Sequence, residues 1–330
     1  MIAPKVSVIM ACFNSSVFLE ESVNSVLSQT LGDLELILID DCSSDNTLEI
    51  AKRYQLQDDR VSVLSLRVNS GPATARNAGI MVARGEWLGI LDSDDVAMPS
   101  RFEEQIKLAV SDKDLVMIGS NSISIYKAGH VIKKHKYPTS HNDLINRLLS
   151  MRAFPPHSSM MYRKDVVQRF DGFNIRFPLS EDYDLWLRLS DAGKITSIDK
   201  SLVKIRKHDA NISNWERGML QIRLGVAAYI CHFLRTHGYP DPSVTNDEAR
   251  WGEFVTWIEK HLIDEGVFEK SKAWADARCE YFAAENSLIG TFRFSTSLIQ
   301  SGHASVLAWE MFFGSSLPRR LAREWMLSTK

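Results

Sequence analysis

The sequence predicts an α/β fold, a mostly parallel, doubly wound sheet flanked by helices, with an all-α region after it. Three observations carry this. In the first hundred residues, short apolar runs of strand length alternate with helical stretches across short connections, as in β–α–β units. Each run ends in a polar loop: Asn14, Asp41, Ser70-Gly71 and Asp92–Asp95. Such sheets bind ligands beyond the carboxyl ends of their strands, so these loops should converge on one crevice. From Asn214 onward the pattern becomes helical throughout.

Val6–Cys12 is almost wholly apolar, as a central parallel strand is. Phe13–Ser16 breaks it, and Phe18, Leu19, Val23, Val26 and Leu27 mark a helix that Gly32-Asp33 ends. Leu34–Ile39 is the second strand, and Ser43-Ser44-Asp45 caps a helix through about Tyr54, with Ser44 as the expected cap. Val61–Leu66 is the third strand, Gly71-Pro72 opens a helix through about Val82, and Trp87–Leu91 is the fourth strand. A helix over Pro99–Val110 and a strand over Asp114–Ile125 follow. Lys133-Lys134-His135-Lys136 reads as a solvated hairpin tip. Lys164–Phe170 is a short helix, Ser180 is the expected N-cap of an amphipathic helix from Glu181, and Ile195–His208 reads as strand, turn, strand. Residues 214–330 hold five or six helices, punctuated at Gly238, Gly266, Gly290, Gly302 and Gly314.

With 330 residues the chain makes one large or two medium domains, and 45% hydrophobic and 24% charged content is that of a folded soluble protein. Lysines and arginines number 39 against 41 acidic residues, so nucleic acid is not an expected partner. Cys12, Cys42, Cys231 and Cys279 have no metal spacing and read as reduced thiols of a cytoplasmic protein. No signal peptide is expected, and the apolar run Leu224–Cys231 is too short to span a bilayer. Membrane contact is therefore expected to be peripheral at most, on the inner face of the cytoplasmic membrane. Ser315–Met326, with Arg319, Arg320 and Arg323 beside Leu321 and Trp325, is the amphipathic stretch suited to it.

The loop after the first strand, Ala11–Ser16, has no glycine, and no Gly-x-x-x-x-Gly-Lys-Ser/Thr occurs. Dehydrogenase and P-loop chemistry are thereby set aside. The fourth strand ends in Asp92-Ser93-Asp94-Asp95, three carboxylates within four residues. An acidic turn is one reading; a hard divalent cation, which would relieve the repulsion and serve phosphates, is the other.

Five motifs in order carry a resemblance: Val6–Asn14 with Ser25–Thr30, Leu38–Asp45, Gly71–Gly79, Ala83–Glu86 and Leu91–Asp95. Together they resemble glycosyltransferase family 2, inverting enzymes of the GT-A fold common in bacterial surface-polysaccharide synthesis. The match spans roughly residues 5–213, the expected catalytic domain, and leaves 214–330 as a helical region for acceptor, oligomerisation or membrane contact. The resemblance implies a nucleotide diphosphate donor, UDP-linked by expectation, and a glycan or lipid-linked glycan acceptor. It implies that Asp41 serves the nucleoside, Arg76 the sugar or pyrophosphate, and Asp92 the ribose or sugar, with Asn14 also among the nucleotide-sugar-binding residues. Asp94 would bind Mn2+ or Mg2+, with Asp95 beside it. Glu181-Asp182 would supply the general base, Asp182, at a helix N-terminus that favours negative charge. The segment Leu202–His208 resembles a closing motif in which His208 completes the metal shell and Arg206 contacts phosphate. His157 is a further acceptor-side candidate. A non-catalytic nucleotide- or glycan-binding module assembled through the helical tail is the alternative class. A nucleotide-sugar pyrophosphorylase would need a glycine-rich first loop.

Overall fold

The computed structural model describes residues 3–208, 215–269 and 316–328. The chain divides into two compact units, one of Met1–Ile145, Phe154–Pro178 and Arg188–His208, the other of Asn146–Ala153, Leu179–Leu187 and Asp209–Lys330. Two short segments from the first 213 residues thus group with the helical part rather than with the sheet.

The first unit is built on one nine-stranded sheet. Its strands are β1 (Val6–Cys12), β2 (Leu34–Asp40), β3 (Val61–Ser65), β4 (Trp87–Ile90), β5 (Val96–Ala97), β6 (Leu115–Tyr126), β7 (Val131–His135), β8 (Met161–Arg163) and β9 (Lys194–Lys207). The spatial order is β3-β2-β1-β4-β8-β6-β9-β5, with β7 on β6. β3, β2, β1 and β4 are parallel neighbours. β8 then runs antiparallel to both β4 and β6, β9 is parallel to β6, and β5 is antiparallel to β9. The helices over residues 1–190 are α1 (Leu19–Leu27), α2 (Thr47–Gln57), α3 (Pro72–Val82), α4 (Arg101–Ser111), α5 (His141–Leu149), α6 (Lys164–Arg169) and α7 (Glu181–Ser190), of which the end of α5 and most of α7 group with the second unit. This is the expected α/β class, with a larger antiparallel share than the apolar runs alone imply.

The parallel half follows from its side chains. β2 is buried along its whole length and β1 at all but one position, because helices cover both faces. Gly79 lets α3 approach the sheet: a Cβ there would lie 2.7 Å from Ile39 Cδ1 and 3.0 Å from Ile9 Cγ2. The turn from α3 into β4 is tied down by a buried carboxylate. Glu35 accepts from the Ser7 hydroxyl at 2.6 Å and from the Arg84 amide and Nε, both at 2.8 Å. Gly85 donates its amide to Ser7 Oγ at 2.8 Å, and a Cβ at Gly85 would meet Ser7 N at 2.6 Å. The Ala83–Glu86 motif is therefore an anchor for the strand that ends in the acidic cluster.

Several local expectations change. Ser44 does not cap α2: the cap position is Asn46, which makes no side-chain cap hydrogen bond, and the residue before it, Asp45, accepts from Thr47 N at 3.0 Å, while Ser44 donates to Asn14 Oδ1. The basic cluster is not a hairpin tip. The turn is at Tyr126–His130, with Gly129 at φ 88°, and Lys133, Lys134 and His135 lie in β7. β9 is one strand; the expected turn is an irregularity where Ser120 faces Ile198 and Asn121 faces Ser201. Ser180 does not cap α7 with its hydroxyl, which donates to Gln221 O at 3.0 Å.

In the second unit α8 (Trp215–Thr236), α9 (Glu248–Asp264) and α10 (Ser316–Ser328) are described. The expected helices over residues 270–315, with Trp274, Cys279 and Trp309, lie outside the described residues. Phe254 and Trp257 of α9 contact Trp325 with ring centroids 4.9 and 5.2 Å apart, and Arg319 donates to the Tyr229 hydroxyl. Leu321 is fully buried and Trp325 is 9% exposed. The apolar face expected to meet a membrane is therefore covered by protein, because three helices need each other's apolar stripes to bury their own. Among the described residues no helix is long and apolar enough to cross a membrane.

Candidate functional site

The carboxyl ends of the parallel strands bring four polar loops together. Asn14 adopts φ 49°, a left-handed conformation that asparagine tolerates. It donates its amide to Ser43 Oγ and accepts from Ser44, joining the loops after β1 and β2. Cys42 adopts φ 61° in the second loop. Its neighbour Asp41 is 3% exposed and accepts from Ser70 N and Gly71 N, one at each oxygen, both at 2.8 Å. Asp41 thereby fixes the entry to α3, whose next turn carries Arg76.

Arg76 is buried and donates to Asp92 Oδ1 at 2.9 Å, with its guanidinium 5.7 Å from the Phe173 ring. Burial alone would raise the Asp92 carboxyl, but the Arg76 charge and hydrogen bonds from Arg76 and Ser158 hold it below the usual range. Asp94 behaves oppositely. Burial and the Asp92 charge push its carboxyl up, against a hydrogen bond to His208. His208 Nε2 lies 2.9 Å from Asp94 Oδ2, and its ring packs 4.9 Å from Phe18.

Asp95 does not face the crevice with these two. It is 3% exposed, its Oδ1 accepts the Arg206 amide at 2.8 Å, and burial, then Asp94 and Asp92, raise its carboxyl well above normal. It was expected among metal ligands; the geometry makes it an internal acceptor for β9. Arg206 likewise turns inward. Its Nε donates to Asp94 O, Nη1 to Lys127 O and Nη2 to Glu21 Oε2, at 2.8, 2.8 and 2.6 Å, and it stacks on Phe18. The expected phosphate contact has no guanidinium nitrogen outside this set. His157 is also internal, packed 5.4 Å from the Phe173 ring; burial, then the Arg76 charge, pushes it down to about 3, so it is neutral.

Glu181 and Asp182 open α7 and belong to the second unit, where Glu181 is buried and Asp182 accepts the Tyr183 amide at 2.7 Å. The Tyr183 hydroxyl donates to Leu148 O in the same unit.

Three contributors escaped the sequence reading. Arg101 is fully buried and donates Nη2 to Ile90 O and Met160 O, joining the end of β4 to the residue that leads into β8. Gln105, one turn on, donates to Ile118 O and Ser159 O. Ser158 accepts the Asp92 amide at 3.1 Å. The signal available was Arg101 and Gln105 at i, i+4 on an otherwise apolar helix face, where buried polar groups must have partners.

Asp94 and His208 supply one oxygen and one imidazole nitrogen at a single point, a donor pair suited to a divalent cation. Among the described residues no group of three or more histidine, cysteine, aspartate or glutamate side chains is gathered as a metal site.

A family model described as "Glycosyl transferase family 2" matches residues 7–170. The O-antigen biosynthesis glycosyltransferase WbnJ of Escherichia coli is 36% identical over 187 residues, 56% of this chain and 71% of that protein. Two solved structures share the fold. S. aureus TarS 1-349 in complex with UDP-GlcNAc has a TM-score of 0.54 at 23% identity, covering 68% of this chain and 66% of that one. The mannosyltransferase PcManGT of Pyrobaculum calidifontis, in complex with GDP-Man and Mn2+, has a TM-score of 0.56 at 14% identity, covering 93% and 86%. The sheet is thus that of GT-A transferases, and by sequence the chain belongs to glycosyltransferase family 2.

Proposed function

We propose that the chain moves a glycosyl group from a nucleoside-diphosphate sugar, UDP-linked by preference, to a hydroxyl of a glycan or lipid-linked glycan, with inversion. The observation that carries this is the Asp94–His208 pair at 2.9 Å beside the Asp92–Arg76 bridge. Support for the donor class comes from the nucleotide sugars held by the two structural neighbours. Asp94 and His208 would hold Mn2+ or Mg2+, since a cation there offsets the raised carboxyl of Asp94. When bound, that cation neutralises charge on the departing diphosphate.

The chain's own groups do the rest. Asn14 and Asp41 shape the nucleoside end, Asp41 by fixing the Ser70-Gly71 loop. Arg76 offers planar donors toward the diphosphate and holds Asp92 ionised to accept sugar or ribose hydroxyls. Asp95 and Arg206 position the Asp94 backbone and the end of β9. Asp182 takes the proton of the acceptor hydroxyl as that oxygen attacks the anomeric carbon, and Glu181 orients the acceptor.

Calorimetry with UDP, GDP, CDP and dTDP, each with and without Mn2+, tests the donor site; preference for one diphosphate that requires metal is expected. Asp182→Asn should lower transfer by about 10²–10⁴-fold with donor affinity retained. Full activity in that variant removes Asp182 as base, and binding without turnover of any donor, hydrolysis included, returns the chain to the non-catalytic class.

A further inference from the structure

The chain as a whole is slightly acidic, with 41 acidic residues against 39 basic. Residues 115–142 depart from that: they contain Lys127, Lys133, Lys134 and Lys136 and no aspartate or glutamate. Residues 200–208, with Lys204 and Lys207, also lack a carboxylate side chain. The fold sets these two segments side by side. β7 pairs with β6 over Ser122–Ile125, and β9 pairs with the same stretch, Ile123 facing Lys204 and Tyr126 facing Lys207. Strands two apart are separated by about 10 Å, so lysines of β7 and β9 lie within one another's field. His135 registers this. Burial first, then Lys133 and Lys207, push it down to about 4, and both charges acting on it are cationic.

A solvated surface ordinarily mixes charges of both signs; among the described residues the charged side chains of these two segments are all basic, with Asp199, earlier in β9, accepting from Asn121 at 2.7 Å. This basic ribbon also begins at the acidic cluster, since Arg206 donates both to Asp94 O and to Lys127 O. The Glu21 carboxylate at that end is already paired with Arg206. Tyr126, 56% exposed at the turn, adds an aromatic face of the kind that sugar rings stack on. A membrane would call for an amphipathic helix with a free apolar face, and α10, the stretch expected to supply it, has its apolar face buried.

We propose that the β6–β7–β9 edge binds the acceptor, and that the acceptor is a glycan bearing anionic groups, phosphodiester or carboxylate, along its chain. This rests on the glycosyltransfer reading above and names its acceptor class. The anions bind the lysine ribbon, and the neutral hydroxyl end reaches the donor site.

The test uses the full chain and four fluorescent probes: poly(glycerol phosphate), polygalacturonate, neutral dextran, and phosphatidylglycerol vesicles. UDP binding is measured in the same samples. At least one polyanion should bind and dextran should not; which polyanion binds identifies the anion. Affinity should fall by about tenfold or more between about 50 and about 200 mM salt. Lys133→Gln, Lys134→Gln and Lys136→Gln together should weaken polyanion binding by about tenfold or more, with UDP affinity unchanged. Lys52→Gln, Arg53→Gln and Lys107→Gln, a matched set on α2 and α4, should not weaken it. The proposal is overturned if polyanions bind no better than dextran, if the matched set weakens binding equally, or if only vesicles bind. Failure of the unaltered chain to bind any of UDP, GDP, CDP and dTDP overturns the glycosyltransfer reading instead.

Discussion

The two halves of the sheet hold their share of the site in different ways. In β3-β2-β1-β4 the loops are fixed by short-range backbone contacts: Asp41 on two amides, Asn14 on Ser43 and Ser44, Asp45 on Thr47. In β8-β6-β9-β5 the same work falls to buried arginines that reach across the chain. Arg101 ties β4 to β8, and Arg206 ties β9 to α1, to the β6–β7 turn and to the Asp94 backbone. The reason is topological. Parallel strands joined by helices present loops at one end automatically, whereas an antiparallel insertion must be fastened where it meets them.

The comparison makes unequal predictions. Arg101→Met should have the largest effect on stability, about 2–4 kcal/mol in urea unfolding, because two carbonyls lose a charged donor and the acidic cluster loses a buried cation. Arg101→Lys should recover little, since one ammonium lacks the planar fork. A wild-type midpoint in Arg101→Met would remove the arginine fastening from the account. Next comes Gly85→Ala, about 1–3 kcal/mol, because the added Cβ meets the backbone atoms Ser7 N at 2.6 Å and Val6 C at 2.8 Å, which cannot yield. Gly79→Ala should cost less, since it meets the flexible end of Ile39; equal midpoints for the two alanine variants would contradict this.

The smallest effect is pH-dependent. Burial would raise the Glu35 carboxyl, but hydrogen bonds from Ser7 and Arg84 and the Arg84 charge leave it below its ordinary 4.5. A depressed folded-state pKa contributes stability that is present above the unfolded value and lost as pH falls through the folded one. Wild type should therefore lose more stability than Glu35→Gln as pH is lowered below about 4.5. Parallel pH profiles for the two proteins would mean that Glu35 carries no such linkage.

The same contrast explains what could be read from the chain. The parallel half was legible because β1, β2 and β4 are predominantly apolar runs and each strand is followed by a polar loop at a short connection. β5 was not, being two residues long, and β7 and α5 were hidden in a mixed segment where lysines alternate with few apolar residues. At the site, Asp94 and His208 lie 2.9 Å apart beside the Asp92–Arg76 bridge, whereas Asp95 and Arg206 face inward for reasons that lie over a hundred positions apart in sequence. No local pattern encodes such a contact. Asp182 rests on its helix-opening position and on family resemblance.

The most direct test of the donor site is UDP binding with Mn2+ and with chelator, in wild type, Asp94→Ala and Asp41→Asn. The account predicts that Asp94→Ala abolishes the gain from metal while keeping the metal-free affinity, and that Asp41→Asn weakens binding by a similar factor under both conditions. A full Mn2+ enhancement in Asp94→Ala, or a loss in Asp41→Asn seen only with metal, would contradict the assignment of the metal to Asp94 and of the nucleoside end to Asp41.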